Sequence, residues 1–268
     1  MKQKMILLGA FLLLLLAACA SNSDTPSNES SADSEEATEQ EQQDELVIYL
    51  VRHGKTWFNT TGQVQGFADS QLTDEGKEQA SIVGKGLSDI EFISAYSSDL
   101  GRQRNTAKLI LTENDSDTPE IIEHDGFKEW NYGGFEGKTN EEMWNPIMNS
   151  YDLEFDEEWS EYGELVDILG DDGIADAIAE HDPLDAAETY DEITDRGKEA
   201  MDLVVENDQS GNVLIVSSGS MIPTLLEILV PGEYQGESID NGSVTILKYK
   251  DGEYTLETLG DTSYLEGN

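Results

Sequence analysis

Basic residues are scarce in this 268-residue chain. Fifteen Lys and Arg stand against 57 Asp and Glu, which gives a formal net charge of -42 at pH 7. Phosphate backbones and anionic membrane surfaces attract basic proteins, so this balance argues against either as a partner, nucleic acid included. The arginines are limited to Arg52, Arg102, Arg104 and Arg196, and the location of each is therefore informative.

Cysteine is almost absent as well, since Cys19 is the only one. An intramolecular disulfide is therefore excluded, and the fold depends on its hydrophobic core. Residues 1–18 contain two lysines and then an apolar run, which is shorter than the roughly 20 residues that a membrane-spanning helix needs. This pattern predicts a signal peptide over residues 1–18.

The segment Leu16-Ala17-Ala18-Cys19 resembles the lipobox of bacterial lipoproteins. In that motif, cleavage precedes a cysteine that receives a diacylglycerol. The resemblance implies that Cys19 is the lipidation site and that a lipid anchor holds the protein on the extracytoplasmic side of a bacterial cell membrane. The alternative is an unmodified thiol in a removed or frayed segment.

Apolar residues are nearly missing from residues 20–44, which are rich in Ser, Asn, Asp, Glu, Gln and Thr. Such a segment buries too little surface to offset the entropy of ordering it. Residues 19–44 are therefore predicted to be the lipidated cysteine and a disordered acidic tether. The folded domain is predicted to cover residues 45–268, which have enough apolar content for one core.

Strand and helix patterns alternate through this domain. Apolar runs at 46–51 and 212–217 are typical of buried strands, and 92–96 and 120–123 are predicted as shorter strands. Helices are predicted between these strands, and Asp251-Gly252 predicts a hairpin near the end of the chain. This order implies an α/β fold, a three-layer α/β/α sandwich with a largely parallel central sheet.

Two stretches interrupt the alternation. Residues 56–70 contain Gly62 and Gly66 and are predicted as a loop. Residues 140–183 contain no Lys or Arg, but large apolar side chains recur among their acids. This second stretch is predicted as a mostly helical acidic insertion, with boundaries near 140 and 183.

Charged and polar residues follow three of the predicted strands. Arg52-His53-Gly54 comes after the first strand, Asp99 to Arg102 after the second, and Ser217-Ser218 after the strand at 212–217. In parallel α/β sheets, ligands lie beyond the carboxyl ends of the strands. We therefore expect the functional site at this edge of the sheet.

Arg52-His53-Gly54-Lys55-Thr56, followed by Asn59, resembles the first motif of the histidine phosphatase superfamily, in the branch with cofactor-dependent phosphoglycerate mutases and broad phosphatases. The stretch from Tyr96 to Arg102 resembles that family's second arginine motif, and the stretch from Glu129 to Gly137 resembles its acid-bearing loop. The resemblance covers residues 46–249 and implies a phosphoglycerate mutase-like fold.

These residue types suit phosphoryl transfer. A neutral imidazole can attack phosphorus and form a phosphohistidine, which splits one displacement into two easier ones. Arg52 and Arg102 can neutralise the phosphoryl oxygens through their guanidinium groups and keep His53 neutral. Glu129 is predicted to protonate the leaving alkoxide and later to deprotonate water. Such a mechanism needs neither a metal nor a cofactor.

The family motif further implies that Asn59 contacts phosphate, and Thr56 is a nearby candidate. Simpler roles stay open for several residues. A histidine at a strand end can be purely structural, and Arg102 could instead pair with Asp99 at a helix start. Arg104 is predicted to be such a surface residue.

Ser218 departs from the family pattern. The strand at 212–217 is followed in the family by a second histidine, which donates to the phosphoryl oxygens. Loss of one such donor costs about 100- to 1,000-fold in rate. Serine can still donate a hydrogen bond but brings no charge.

Two functions follow from the sequence. The first is an extracytoplasmic phosphomonoesterase of reduced or specialised activity that acts on a small phosphorylated substrate. The second is a catalytically silent lipoprotein that binds a phosphate ligand. If the acidic insertion lies over the pocket, its charges favour monophosphates with neutral or cationic leaving groups over bisphosphates, since acids act over only about 8 Å at physiological salt.

Overall fold

The computed structural model describes residues 45–114 and 117–265. The predicted signal peptide, Cys19 and the predicted tether lie outside the described residues. The strands are β1 Leu46–Arg52, β2 Phe92–Ser97, β3 Ile121–Glu123, β4 Gly211–Ser217, β5 Val244–Lys250 and β6 Glu253–Asp261. The helices are α1 Trp57–Thr61, α2 Asp74–Gly86, α3 Gly101–Thr112, α4 Asn140–Asn149, α5 Tyr162–His181, α6 Tyr190–Asn207 and α7 Met221–Leu229.

The strands of the described chain form one sheet in the order β3-β2-β4-β1-β5-β6. The first four are mutually parallel, and β5 and β6 are antiparallel to their neighbours. Arg52 lies opposite Ser217, and Ser97 lies opposite Val216, so β1, β2 and β4 end side by side. The predicted α/β fold with a largely parallel sheet is confirmed.

Alternate residues of β1 face opposite sides of the sheet, as strand geometry requires. One side carries a large core shared with α4 to α7, and the other a smaller core shared with α2 and α3. The residues that face the large core are Leu46, Ile48 and Leu50, and those that face the smaller core are Val47, Tyr49 and Val51. These two cores make the three predicted layers.

Local sequence signals set several element boundaries. Thr73 is the N-cap of α2, where its side chain accepts a hydrogen bond from Gly76 N. At the β5–β6 turn, Asp251 and Gly252 have φ values of 54° and 89°, as the predicted hairpin requires. The loop predicted at 56–70 instead begins with the short helix α1. Thr56 and Asn59 form a capping box at the N-terminus of this helix.

The acidic insertion is mostly helical, as predicted. It contains α4 and α5, and Gly170 interrupts α5 with φ 69° and ψ 171°. Its apolar side chains, Trp144 and Leu165 among them, belong to the large core. Many of its acids face solvent, which explains how so much negative charge is tolerated. Among the described residues, no helix combines the length and apolar character that crossing a bilayer requires.

Candidate active site

His53 follows β1 directly and is almost fully buried. Its backbone N–H donates to Ser217 O at 3.0 Å, which ties it to the end of β4. Its Nδ1 lies 2.9 Å from Gly54 O, and only a protonated nitrogen can bond a carbonyl oxygen. Nδ1 therefore carries the hydrogen in the neutral ring, and the lone pair of Nε2 is left for chemistry.

Burial lowers the pKa of His53 well below its usual value, and the charges of Arg102 and Arg52 lower it further. The effect of burial is the largest, because a charged imidazolium loses solvation inside the protein. The bond to Gly54 O opposes this shift but is the weakest of the four effects. At neutral pH the imidazole is therefore uncharged, as a nucleophile requires.

Gly54, which follows His53, packs against the first turn of α2. A Cβ atom at Gly54 would lie 2.2 Å from Gly76 O, so no larger residue fits there. The Gly54 N–H donates to Thr106 Oγ1 at 3.1 Å, and the Thr106 hydroxyl donates to Arg102 O at 2.7 Å. Through these contacts, α2 and α3 hold the turn that carries His53.

Arg102, at the start of α3, has no exposed surface. Its terminal nitrogens donate to Gly66 O at 2.7 Å, to Ala68 O at 3.0 Å and to Asp69 Oδ1 at 3.1 Å. Asp69 also accepts from the backbone of α3, at Gly101 N. The guanidinium is therefore fixed in one orientation by the loop before α2.

Arg102 forms its ion pair with Asp69 and not with Asp99, the alternative that the sequence left open. Asp99 instead lies 3.1 Å from Lys128 Nζ. Arg104 pairs with Glu123 across 2.9 Å, and both side chains are about one-third exposed or more, which makes this the surface ion pair expected for Arg104.

Arg52, the last residue of β1, is held by the loop before β5. Its Nη1 donates to Ile239 O at 2.6 Å, and its carbonyl accepts from Gly242 N at 3.1 Å. In the same loop, Asn241 Nδ2 donates to His53 O at 2.9 Å. Sequence reasoning missed this loop, because its contacts join residues almost 190 positions apart.

The two guanidinium groups share an unusual feature. Within the part of the chain that the structure describes, the Nε atoms of Arg52 and Arg102 are buried and make no hydrogen bond in the protein. Buried donors are nearly always satisfied, so each such atom needs an explanation. Two cations beside a neutral histidine form a cluster suited to an anion with several acceptor oxygens.

Glu129 is buried and lies close enough to Arg52 and Arg102 to interact with their charges. Its Oε1 accepts from Trp130 N and its Oε2 from Ser220 N, each at 2.9 Å. Burial lowers the pKa of Arg52, and the charge of Glu129 is the largest effect that raises it. The carboxylate is thus fixed by two backbone donors and close enough to both arginines to affect their ionisation.

Ser218 is fully buried, and its Oγ accepts from Gln103 Nε2 at 2.6 Å. Gln103 Nε2 also donates to Phe127 O at 3.0 Å, while Gln103 Oε1 accepts from Ser98 Oγ. Because a carbonyl oxygen can only accept, the end of Gln103 beside Ser218 is its NH₂ group. Sequence reasoning missed Gln103, since nothing around it in the chain indicates a partner 115 residues away.

Thr56 and Asn59, the two predicted phosphate contacts, bond to each other. Asn59 Oδ1 accepts from Thr56 N at 3.1 Å and from Thr56 Oγ1 at 2.9 Å. Thr56 Oγ1 also lies 3.0 Å from Gln65 Oε1, and its single hydrogen can be donated to either of these two oxygens. The carbonyl of Gln65 lies 3.3 Å from Arg102 Nη2, so both residues are connected to Arg102 through Gln65. Their contact with phosphate stays a prediction.

Glu136 is a second residue whose role the sequence did not reveal. Its carboxylate accepts from the backbone N–H groups of Gly66, Phe67 and Ala68 and from Tyr132 N, at 2.7 to 3.1 Å. Gly66 O and Ala68 O are the carbonyls that bind Arg102. Glu136 therefore fixes the loop that orients Arg102.

The fold and this cluster define an α/β protein of the phosphoglycerate mutase-like class. The family model of the histidine phosphatase superfamily (branch 1) matches residues 48–262, and the chain belongs to that superfamily. The predicted resemblance is confirmed at this level.

Similar proteins include phosphatases and mutases. The crystal structure of a phosphoglycerate mutase from Bacillus anthracis str. Sterne is 34% identical, covers 85% of this chain and 98% of its own, and superposes with a TM-score of 0.76. A metal-independent phosphoserine phosphatase of Arabidopsis thaliana is 26% identical over 219 residues, which are 81% of this chain and 82% of the relative.

A phosphoserine phosphatase from Entamoeba histolytica, solved in complex with 3-phosphoglyceric acid, is 26% identical with a TM-score of 0.60, over 82% of this chain and 99% of that chain. Together with the family, these relatives support an enzyme of the phosphatase or mutase type.

Proposed function

We propose that the protein is an extracytoplasmic phosphomonoesterase that acts through a phosphohistidine at His53. One observation carries this proposal: the guanidinium groups of Arg102, which is fully buried, and of Arg52, which is partly buried, flank a neutral histidine whose Nε2 makes no hydrogen bond to the described residues. A phosphate monoester supplies negative charge and acceptor oxygens for these two guanidinium groups. It also supplies the phosphorus that Nε2 can attack.

In the first step, Nε2 of His53 forms a bond to phosphorus as the bond from phosphorus to the ester oxygen breaks. Arg52 and Arg102 stabilise the charge on the three equatorial oxygens. Glu129, in its protonated form, gives its proton to the departing oxygen, so the product leaves as a neutral alcohol.

In the second step, water attacks the phosphohistidine. The Glu129 carboxylate takes the proton of this water, and the bond between phosphorus and Nε2 breaks. The electron pair returns to His53, and inorganic phosphate leaves. Ser218 supports this step in place of the family's histidine, because its Oγ accepts from Gln103 and its own hydroxyl hydrogen can donate to a phosphoryl oxygen.

The extracytoplasmic location rests on the chain's first residues. The signal-like segment at 1–18 and the lipobox-like sequence ending in Cys19 support a lipid anchor and a small phosphorylated substrate outside the cytoplasm. The same location disfavours a mutase role, because phosphoglycerates are intracellular metabolites.

A second candidate function is a silent protein that binds a phosphate ligand without turnover. Ser218 favours it, because this position lacks the charge of the family's second histidine. The two candidates differ in one product, the covalent phosphohistidine.

The test compares the wild type with His53→Ala on 4-nitrophenyl phosphate and on ³²P-labelled substrate. We expect hydrolysis and an acid-labile label on the wild type, and neither on the variant. Hydrolysis no faster than that of His53→Ala, with no trapped label, would overturn the phosphatase proposal and favour the silent binder.

A further inference from the structure

A cavity of about 130 Å³ lies beside the candidate active site, between the acid-bearing loop, the insertion and α7. Six aromatic side chains line it: Trp130, Tyr132, Trp144, Tyr162, Tyr190 and Tyr234. Trp144 and Tyr162 belong to the insertion and pack edge to face, with ring centroids 5.3 Å apart. The insertion therefore forms a wall of this cavity with its apolar side, while many of its acids point to solvent.

The cavity adjoins the residues that act on a leaving group. Ser220, which lines it, donates its backbone N–H to the Glu129 carboxylate at 2.9 Å. Gly219 also lines it, and a Cβ atom there would lie 3.0 Å from Arg52 Cζ. The space therefore begins where the alcohol part of a phosphate ester would lie if the phosphate sits between the arginines.

Charge is missing from this space. No Lys, Arg, His, Asp or Glu is among the described residues that line it, and burial raises the pKa of the Tyr132 phenol well above its usual value. Arg196, on α6, is a cation, but its guanidinium group already bonds to Glu188 at 2.8 Å and to backbone carbonyls of the acid-bearing loop. A carboxylate on the leaving group would lose its water here and gain no cation, which is costly.

The volume of the cavity further limits which leaving groups can bind in it. An apolar cavity of about 150 Å³ is known to bind benzene, so a space of this volume fits one six-membered ring. Aromatic walls suit such a ring because edge-to-face contacts add to the burial of apolar surface.

We infer that this cavity binds the leaving group of the substrate, and that the leaving group is a single uncharged aromatic ring. The inference rests on the proposed phosphatase function and adds the substrate class to it. Esters with a carboxylate beside the phosphate, such as O-phosphoserine, are poor substrates for this chain. A quaternary ammonium group is the other chemistry that aromatic walls attract, and the test includes it.

The test measures kcat/KM of the full-length chain in detergent on benzyl phosphate, ethyl phosphate, O-phospho-L-serine and phosphocholine. All four are esters of primary alcohols, so the bond that breaks is alike and the rest of the leaving group differs. We expect benzyl phosphate to exceed ethyl phosphate by at least 10-fold and phosphoserine by at least 100-fold. Equal values for ethyl or serine esters, or a preference for phosphocholine, would overturn the inference.

A charge placed at the rim gives a second test. Tyr234 is partly buried in the loop after α7, so Tyr234→Arg adds a cation without opening the core. We expect the ratio of benzyl phosphate to phosphoserine activity to fall at least 10-fold, because the added cation favours the carboxylate of phosphoserine. Tyr234→Phe is the matched control and keeps the wild-type ratio. A uniform loss of activity on all four esters would show that Tyr234 has a merely structural role.

Binding separates this inference from the proposed function. If no ester is hydrolysed above the rate of His53→Ala, the phosphatase proposal fails, while the cavity can still be tested with non-hydrolysable phosphonates. Trp130 and Trp144 line the cavity and report occupancy by fluorescence. Benzylphosphonate should bind at least 10-fold more tightly than ethylphosphonate or 2-carboxyethylphosphonate, and equal affinities would refute the aromatic site.

Discussion

Gln103 and Ser218 share a hydrogen bond of 2.6 Å between two fully buried side chains. The sequence resemblance predicts that Ser218 takes the position of the family's second histidine, and Gln103 reaches it from α3. Since Gln103 acts as the donor, Ser218 Oγ is the acceptor and keeps its own hydrogen for another partner. The Ser218 hydroxyl is therefore a neutral hydrogen-bond donor at the position where the family motif predicts the larger imidazole ring of a histidine.

Restoring histidine at position 218 is therefore not a simple repair. The imidazole would need the space that Gln103 occupies, so Ser218→His alone should destabilise the protein by about 1 to 3 kcal/mol through overpacking. Gln103→Ala combined with Ser218→His makes room for the ring. We expect the double variant to hydrolyse phosphate esters up to about 100-fold faster than the wild type.

Gln103→Ala alone is the control, and its activity should fall because Ser218 loses its partner. Urea unfolding of each variant separates stability from rate. A large gain in rate from Ser218→His by itself, without loss of stability, would contradict the proposed packing.

Arg102→Lys should lose at least 100-fold in kcat/KM, although it keeps the positive charge. Lysine cannot bond Gly66 O, Ala68 O and Asp69 together as the planar guanidinium does, and it lacks an Nε–H donor. Carbonyls left unpaired in the interior should also cost about 1 to 3 kcal/mol of stability.

The control for this substitution lies two residues further along the same helix. Arg104→Lys affects a surface pair with Glu123, so its effect should stay within about 1 kcal/mol and leave turnover unchanged. Kinetics and thermal unfolding of the two variants side by side check the prediction, which fails if they lose activity equally.

The sequence predicted much of this architecture and only part of the site. Strands at 46–51 and 212–217 carry strong apolar patterns, and Thr73 is a local capping signal, so these elements follow from neighbouring residues. The motif around Arg52 and His53 likewise lies within one short stretch. Such local information is enough for the fold and for the position of His53 at the end of β1.

Contacts between residues far apart in the chain could not be predicted from local sequence patterns. Asp99 is the acidic residue nearest to Arg102 in the sequence, so the sequence alone favours it as the ion-pair partner. The structure pairs Arg102 with Asp69 because the loop before α2 folds over the start of α3. Gln103 and Glu136 were missed for the same reason, since their partners lie 115 and about 70 residues away.

Glu136→Gln should weaken the site through the loop that holds Arg102. The amide would present an NH₂ group to backbone donors that now share the two carboxylate oxygens, which should cost about 2 to 3 kcal/mol of stability. We expect kcat/KM to fall, and the fall to be less than additive with Arg102→Lys because both act on one guanidinium. Glu141→Gln, at an exposed position of α4, is the control. Full additivity of the two changes would argue against this connection.

Glu129→Gln should slow esters with poor leaving groups far more than those with good ones. An alkoxide needs a proton, which we propose that Glu129 supplies, so benzyl phosphate hydrolysis should fall by about 100- to 10,000-fold. Nitrophenolate leaves without a proton, so formation of the phosphohistidine from 4-nitrophenyl phosphate should fall much less. Rapid-quench measurement of the labelled enzyme checks this difference. Equal losses on both esters would assign Glu129 a positioning role only.

His53 should make the protein less stable in mild acid. Burial, Arg102 and Arg52 lower its pKa in the folded state, whereas an unfolded histidine titrates at about 6.5. Below that pH the unfolded chain binds a proton here that the folded chain does not, so stability falls as pH falls, by about 1.4 kcal/mol per pH unit until the folded pKa is reached. Above that pH the contribution of His53 to the pH dependence vanishes.

His53→Asn removes this titration, so the stability of the variant relative to the wild type should rise by about 1 kcal/mol between pH 7.5 and 5.5. Urea unfolding at both values measures the change. Nitrogen-15 NMR of the wild type gives a direct check, because Nδ1 should remain protonated and Nε2 unprotonated at pH 6. An imidazolium signal for His53 at that pH, or parallel pH dependence of the two proteins, would show that the arginines do not hold the ring neutral.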